Sequence, residues 1–423
     1  MPTRSDAPSD SDSLPADSAV TRAFQFGLGI FTLTALIGLA NATRIFGDLS
    51  RDTLLTHLHS GTLGWITMGV IGVALWLFGG TGQSTGRNVA ISGAITALYV
   101  VAFWSGNLPA RAVTGALELA VIVGWWAWTV GRAAAEGFGM LSVPKLSVVL
   151  GLTTLVIGST VGVIIQVLLA TGIGLPADRD VIGTHASAQV GGYLVLVAAG
   201  IAEWRLSGLG RTTPGVIQAS LLFGGGLLLV IGVFFGLIPL LGLATLLQSI
   251  AIVMVAVRFG RKAVGVPWSA STGLRHVAMA IPFLVVALIL QAYLVAAIGQ
   301  AGGDFTKVPG GLITALDHSM FIGVMTNALF GCVLAVTAQS RSRVWPWADH
   351  VIFWGLNIGA AAFIAVLVFV GSSAGAGRFA HPVAYTAPIM GLAVLLGVAT
   401  LSMRLGAERR AVATTRPAQP SMV

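Results

Sequence analysis

Apolar runs recur along the whole chain, each long enough to cross about 30 Å of hydrocarbon. Short segments carrying Gly, Pro and basic residues separate them. The pattern predicts twelve transmembrane helices near residues 23–42, 54–79, 89–105, 112–131, 146–171, 185–204, 215–235, 238–257, 277–299, 318–338, 351–371 and 383–403. The expected fold class is all-α, a polytopic bundle of about twelve helices. The tightest division is Gly236-Leu237-Ile238-Pro239, where a hairpin has to separate the seventh and eighth helices. Without that hairpin every later helix would reverse. Residues 1–22 are rich in Ser, Asp and Pro with no apolar run, and read as a disordered cytoplasmic tail. They lack the apolar stretch of a cleavable signal. Residues 23–403 form the membrane domain, and 404–423 a second cytoplasmic tail.

Composition sharpens this picture. Of 423 residues, 56% are hydrophobic and 9% charged, against roughly 25% charged in a soluble protein. The 55 glycines suit closely packed membrane helices. A formal charge of +8 does not point to nucleic acid, because the basic residues lie in short loops. With both termini inside, 17 of the 23 Lys and Arg residues fall on the inner side and 6 on the outer. That bias orients the bundle in a prokaryotic cytoplasmic (inner) membrane, surrounded by the lipid bilayer. Cys332 is the one cysteine, so there is no intrachain disulfide and no Cys-x-x-Cys attachment site. No sequence repeat relates the two halves.

Five of seven histidines then fall at the outer end of the spans. His57 and His59 begin the second helix, His185 the sixth and His318 the tenth, and His381 precedes the twelfth. Imidazole is a common axial ligand of haem iron, and a haem between helices needs two imidazoles at one depth. His57 and His59 are two residues apart, so on a helix they point about 200° from each other. One can face a haem while the other caps the helix or meets a neighbour. Gly61, Gly64, Gly69 and Gly72 offer a groove for a flat macrocycle. An interfacial histidine pair without a ligand is the structural alternative. His185 is followed by Ser187, Gln189, Gly191, Gly192 and Tyr193, and a capping or interhelical role competes with a ligand role. Asp317 is placed to cap the tenth helix or to orient the His318 ring. Asn327, about 13 Å deeper, needs a partner in the bundle. Glu118 is an intramembrane carboxylate near the outer end of the fourth helix, a functional candidate unless Arg111 neutralises it.

The strings HLHSGTLGWITMGVIG and LDHSMFIGVMTNALFG, with the sixth-helix His185, resemble subunit I of the haem–copper oxidases and nitric oxide reductases. The resemblance covers all twelve helices in topology and three short stretches in motif. It implies a low-spin haem held from the second and tenth helices, by His59 (or His57) and His318, and a copper ligand at His185. The departures matter as much. The seventh helix, VIQASLLFGGGLLLVIGVFF, lacks the family's adjacent histidines, the tenth has only His318, and Gln189 stands where many oxidases carry a tyrosine. The full dioxygen-reducing centre is therefore not expected. Copper at His185, with His381 as a further ligand, would be a weak site. The resulting expectation is a protein binding one b-type haem through His59 and His318. Its role would be electron transfer with a respiratory-chain electron donor, or sensing of a small gas ligand. A twelve-span secondary transporter and a non-catalytic assembly subunit are the rival readings.

Overall fold

The computed structural model describes residues 17–80, 82–303 and 307–415. Among the described residues, twelve helices are each long and apolar enough to cross a membrane. They fall into three runs of four. The first is α1 (Ser18–Thr43), α2 (Arg51–Phe78), α3 (Gln83–Trp104) and α4 (Leu108–Glu136). The second is α5 (Val143–Ala170), α6 (Val181–Ser207), α7 (Thr213–Phe235) and α8 (Ile238–Val264). The third is α9 (Gly273–Gln300), α10 (Gly310–Val336), α11 (Ala348–Phe369) and α12 (Val383–Thr415). Among the described residues there is no strand.

Several boundaries differ from the sequence expectation. α1 begins at Ser18 because the Asp17 side chain accepts from the Ala19 amide at 2.7 Å, and Ala19 and Val20 pack into the core. The expected tail 1–22 therefore ends in helix; residues 1–16 lie outside the described residues. At the other terminus α12 continues to Thr415, past the expected limit at 403, and 416–423 lie outside the described residues. The hairpin between α7 and α8 is present. Gly236 closes α7 at φ 65°, and the Leu237 amide reaches back to the Gly232 carbonyl at 2.8 Å. Pro239 lies in the first turn of α8, where a missing N–H leaves no bond unmade.

α2, α6 and α10 form the centre of the bundle. Their apolar windows are 83%, 78% and 89% buried, against 33–50% for the other nine. Exposed Leu98, Val101, Leu246, Val257 and Ile289 lie on the outer helices, as lipid contact requires. Each central helix is the second of its run of four, and each contains a π-helical stretch: Ser60–Thr67, Ala188–Leu194 and Ser319–Thr326. Such wide turns concentrate at functional sites. The Thr67 hydroxyl donates to the Thr62 carbonyl, and that of Thr326 to the Phe321 carbonyl, each five residues back.

The three stretches share one packing device. Gly64 presses on Ile30, Gly192 on Thr154 and Gly323 on Phe283, in each case against the first helix of the same run. A Cβ at these glycines would come within 2.2, 2.9 and 2.4 Å of those side chains. The fold is thus a threefold repetition of a four-helix unit. A comparison of halves does not register it.

Candidate functional site

We call the end at which α2, α6 and α10 begin the histidine end. His57 of α2 and His318 of α10 face each other there, with ring centroids 6.4 Å apart and planes 24° from parallel. Both line a cavity of about 770 Å³ including its mouth, walled also by Thr34, Gly61, Phe363 and Met390. His59 of α2 turns the other way and faces His185 of α6, again at 6.4 Å, with planes 18° from parallel. These two line a second cavity of about 980 Å³ including its mouth, with Tyr99, Glu118 and Gln189. Leu58, Thr62, Asp317 and Phe321 line both cavities and so form their common wall.

The four imidazoles are held in one tautomer. Nδ1 of His57 lies 2.8 Å from the Thr34 carbonyl, and Nδ1 of His185 lies 2.7 Å from the Gly158 carbonyl. Nδ1 of His59 lies 2.7 Å from the Leu55 carbonyl, and Nδ1 of His318 lies 2.9 Å from the Thr314 carbonyl. A carbonyl can only accept, so Nδ1 carries the proton in each ring. Each Nε2 is left with a free lone pair, and among the described residues none has a hydrogen-bond partner. A metal-binding imidazole is normally prepared this way, its other nitrogen donating to a carbonyl or carboxylate.

Local sequence explains the placement. His57 and His185 donate across to the preceding helix, where a glycine lies one turn beyond the accepting carbonyl. A Cβ at Gly38 would be 2.9 Å from His57 Cε1, and one at Gly162 would be 2.8 Å from His185 Cε1. Only glycine leaves room for the ring. His59 and His318 instead donate four residues back along their own helix. Phe103 stacks on His59 at 4.0 Å, and Phe363 packs on His318 at 4.7 Å.

Several sequence-level assignments change. His59 and His318 do not share a cavity; His57 is the residue opposite His318. His185, for which the resemblance implies a copper role, faces His59. His381 lines neither cavity, and its Nδ1 accepts from the Val383 amide at 3.2 Å. Among the described residues no group of three or more His, Cys, Asp or Glu is placed to hold a metal ion. Asp317 is not an N-cap, because α10 starts at Gly310, and the His318 Nδ1 proton goes to Thr314 instead. Gly64, Gly69 and Gly72 pack against Ile30, Leu329 and Phe24; of the four expected groove glycines only Gly61 lines a cavity.

The remaining polar candidates find partners. Glu118 accepts from Thr96 Oγ1 at 3.0 and 3.1 Å, while Arg111 pairs with Asp52 at 2.5 Å. Gln189 donates to Ser159 Oγ at 3.4 Å, and its Oε1 is buried without a partner beside the second cavity. Asn327 lies between His276 Nδ1 at 2.9 Å and Asn357, to whose side-chain oxygen it donates at 2.7 Å. That triad ties α9, α10 and α11 together away from the cavities. His276, one of the two histidines outside the outer five, is fully buried.

No protein-family description matches the chain, and no curated protein is significantly similar to it.

Proposed function

We propose that the chain is a membrane cytochrome in which His57 and His318 hold the iron of a b-type haem. The carrying observation is their separation across the first cavity. Two iron–nitrogen bonds of about 2 Å and the radii of two imidazole rings place the centroids about 6.3 Å apart in a bis-imidazole haem; the rings here stand 6.4 Å apart. A non-covalent haem agrees with a chain that has a single cysteine. When bound, such a group exchanges one electron between ferrous and ferric iron.

The protein's own part is to hold geometry and exclude water. The Thr34 and Thr314 carbonyls fix both ring tautomers. Trp65 stacks on Phe31 at 5.0 Å and donates to Thr326 Oγ1 at 3.1 Å, which closes the floor between α2 and α10. With His57 and His318 both holding the iron, the site would favour electron transfer over capture of a gas. His57 lies six residues into α2, about 9 Å below its start at 1.5 Å per residue. An electron partner therefore docks at the histidine end. The positive-inside bias puts that end outside, where a respiratory-chain donor would meet it.

Absorption spectra of the purified protein, oxidised and reduced, test this reading. A sharp reduced α-band of a six-coordinate low-spin haem is expected, and a haem-free protein that takes up no added haemin refutes it. Gly38→Leu is expected to displace the His57 ring and weaken that band strongly, because the new side chain occupies the ring's position. Haemin titration of the variant measures the loss.

A further inference from the structure

We infer that His59 and His185 hold a second haem on the opposite side of α2. The identity of the ligand rests on the reading of the first pair; the second site's geometry stands independently. The ring separation is again 6.4 Å, the planes are again near parallel, and both Nδ1 atoms are again committed to carbonyls.

The stronger argument is that the two sites are two copies of one device. At the first, α2 supplies His57 and, eight residues on, Trp65. α10 supplies His318 and, eight residues on, Thr326. Trp65 Nε1 donates to Thr326 Oγ1 at 3.1 Å. At the second, α6 supplies His185 and, eight residues on, Tyr193. α2 supplies His59 and, eight residues on, Thr67. The Tyr193 hydroxyl donates to Thr67 Oγ1 at 3.2 Å. Each site pairs one ring that donates to the preceding helix over a glycine with one ring that donates along its own helix. The outer walls correspond too: Phe363 beside His318 matches Tyr99 beside His59. Met390 of α12 lines the first cavity where Glu118 of α4 lines the second.

The threefold unit supplies an internal control. At the third interface, α10 against α6, Leu316 stands at the position of His57 and His185, and Ser187 at that of His59 and His318. Val324 and Val195 replace the tryptophan or tyrosine and the threonine. Leu316, Val324 and Val195 are all buried. The imidazoles and their locking side chains are therefore present together or absent together.

A lone metal ion between His59 and His185 would need only a few ångströms of space. The surrounding cavity is instead larger than the first, with Gly115 and Gly162 in its walls. The matching ring separation points to the same kind of ligand in both cavities. His57 and His59 place the two centres on opposite sides of one helix, and Phe321, Leu58 and Asp317 fill the wall between them. The protein thus offers a short path for an electron from one cavity to the other. Glu118 in place of Met390 makes the second surroundings more polar, which favours the ferric form there.

Haem content per chain, measured by pyridine haemochrome against quantitative amino-acid analysis with copper determined alongside, tests the inference. Two haems are expected in the wild type. His59→Ala and His185→Ala should each lower the ratio to about one, and added imidazole should restore six-coordinate low-spin haem in a correctly folded variant. A wild-type ratio of one, unchanged by His59→Ala and His185→Ala but lost in His318→Ala, overturns the second site and leaves the first standing. One haem with one retained copper per chain also overturns it. A wild-type ratio of zero removes the first reading as well.

Discussion

In a His185→Ala background, His57→Ala and His318→Ala are each expected to abolish the remaining low-spin haem, whereas His59→Ala leaves it unchanged. The background leaves only the first cavity with two imidazoles. Removing either of its ligands leaves iron with at most one protein nitrogen, and no other histidine lines that cavity. His59 is two residues from His57 yet points into the other cavity, as a rotation of about 200° between them requires. Reduced-minus-oxidised spectra of the three double variants, at equal protein, read the effect. Equal loss from His57→Ala and His59→Ala would contradict the pairing.

Arg404→Ala is expected to destabilise the bundle by about 3–5 kcal/mol, the range for stripping one partner from a buried ion pair. Arg404 and Asp349 meet at 2.6 Å with both side chains fully enclosed at the end opposite the histidines. Arg404 also donates to the carbonyls of Val344 and Trp345, so it clasps α12 to the segment that leads into α11. Without it the buried Asp349 carboxylate loses its ion-pair partner, and its Oδ2 already lacks a hydrogen bond. Unfolding in detergent, followed by helical circular dichroism, measures the loss. A change below about 1 kcal/mol, the value of an exposed pair, would show that the contact is solvated.

The membrane spans were legible because apolar length alone determines them. Helix ends were less so. Gly310-Gly311 reads as a loop by composition, yet α10 begins there, so Asp317 sits two turns inside the helix instead of at its cap. The histidine end was also legible, since span boundaries set depth. The pairing was not. His57 and His59 lie on one helix at one depth, and a helical wheel cannot say which neighbour each faces. The π-helical stretches just beyond them change the angular count further. The repeat is not legible in the sequence because equivalent positions keep spacing and lose identity: Ile30, Thr154 and Phe283 do one job, and Trp65 and Tyr193 another. A search for two imidazoles followed eight residues later by an indole or phenol would have found the signal.

The most direct test of paired-imidazole ligation is low-temperature electron paramagnetic resonance of the oxidised protein. Near-parallel ligand planes, 24° and 18° from parallel at the two sites, split the iron d orbitals strongly in the haem plane. The expected result is a rhombic low-spin ferric signal, with no high-spin component. An axial high-spin signal, or no haem signal from protein supplied with haemin, would contradict the account.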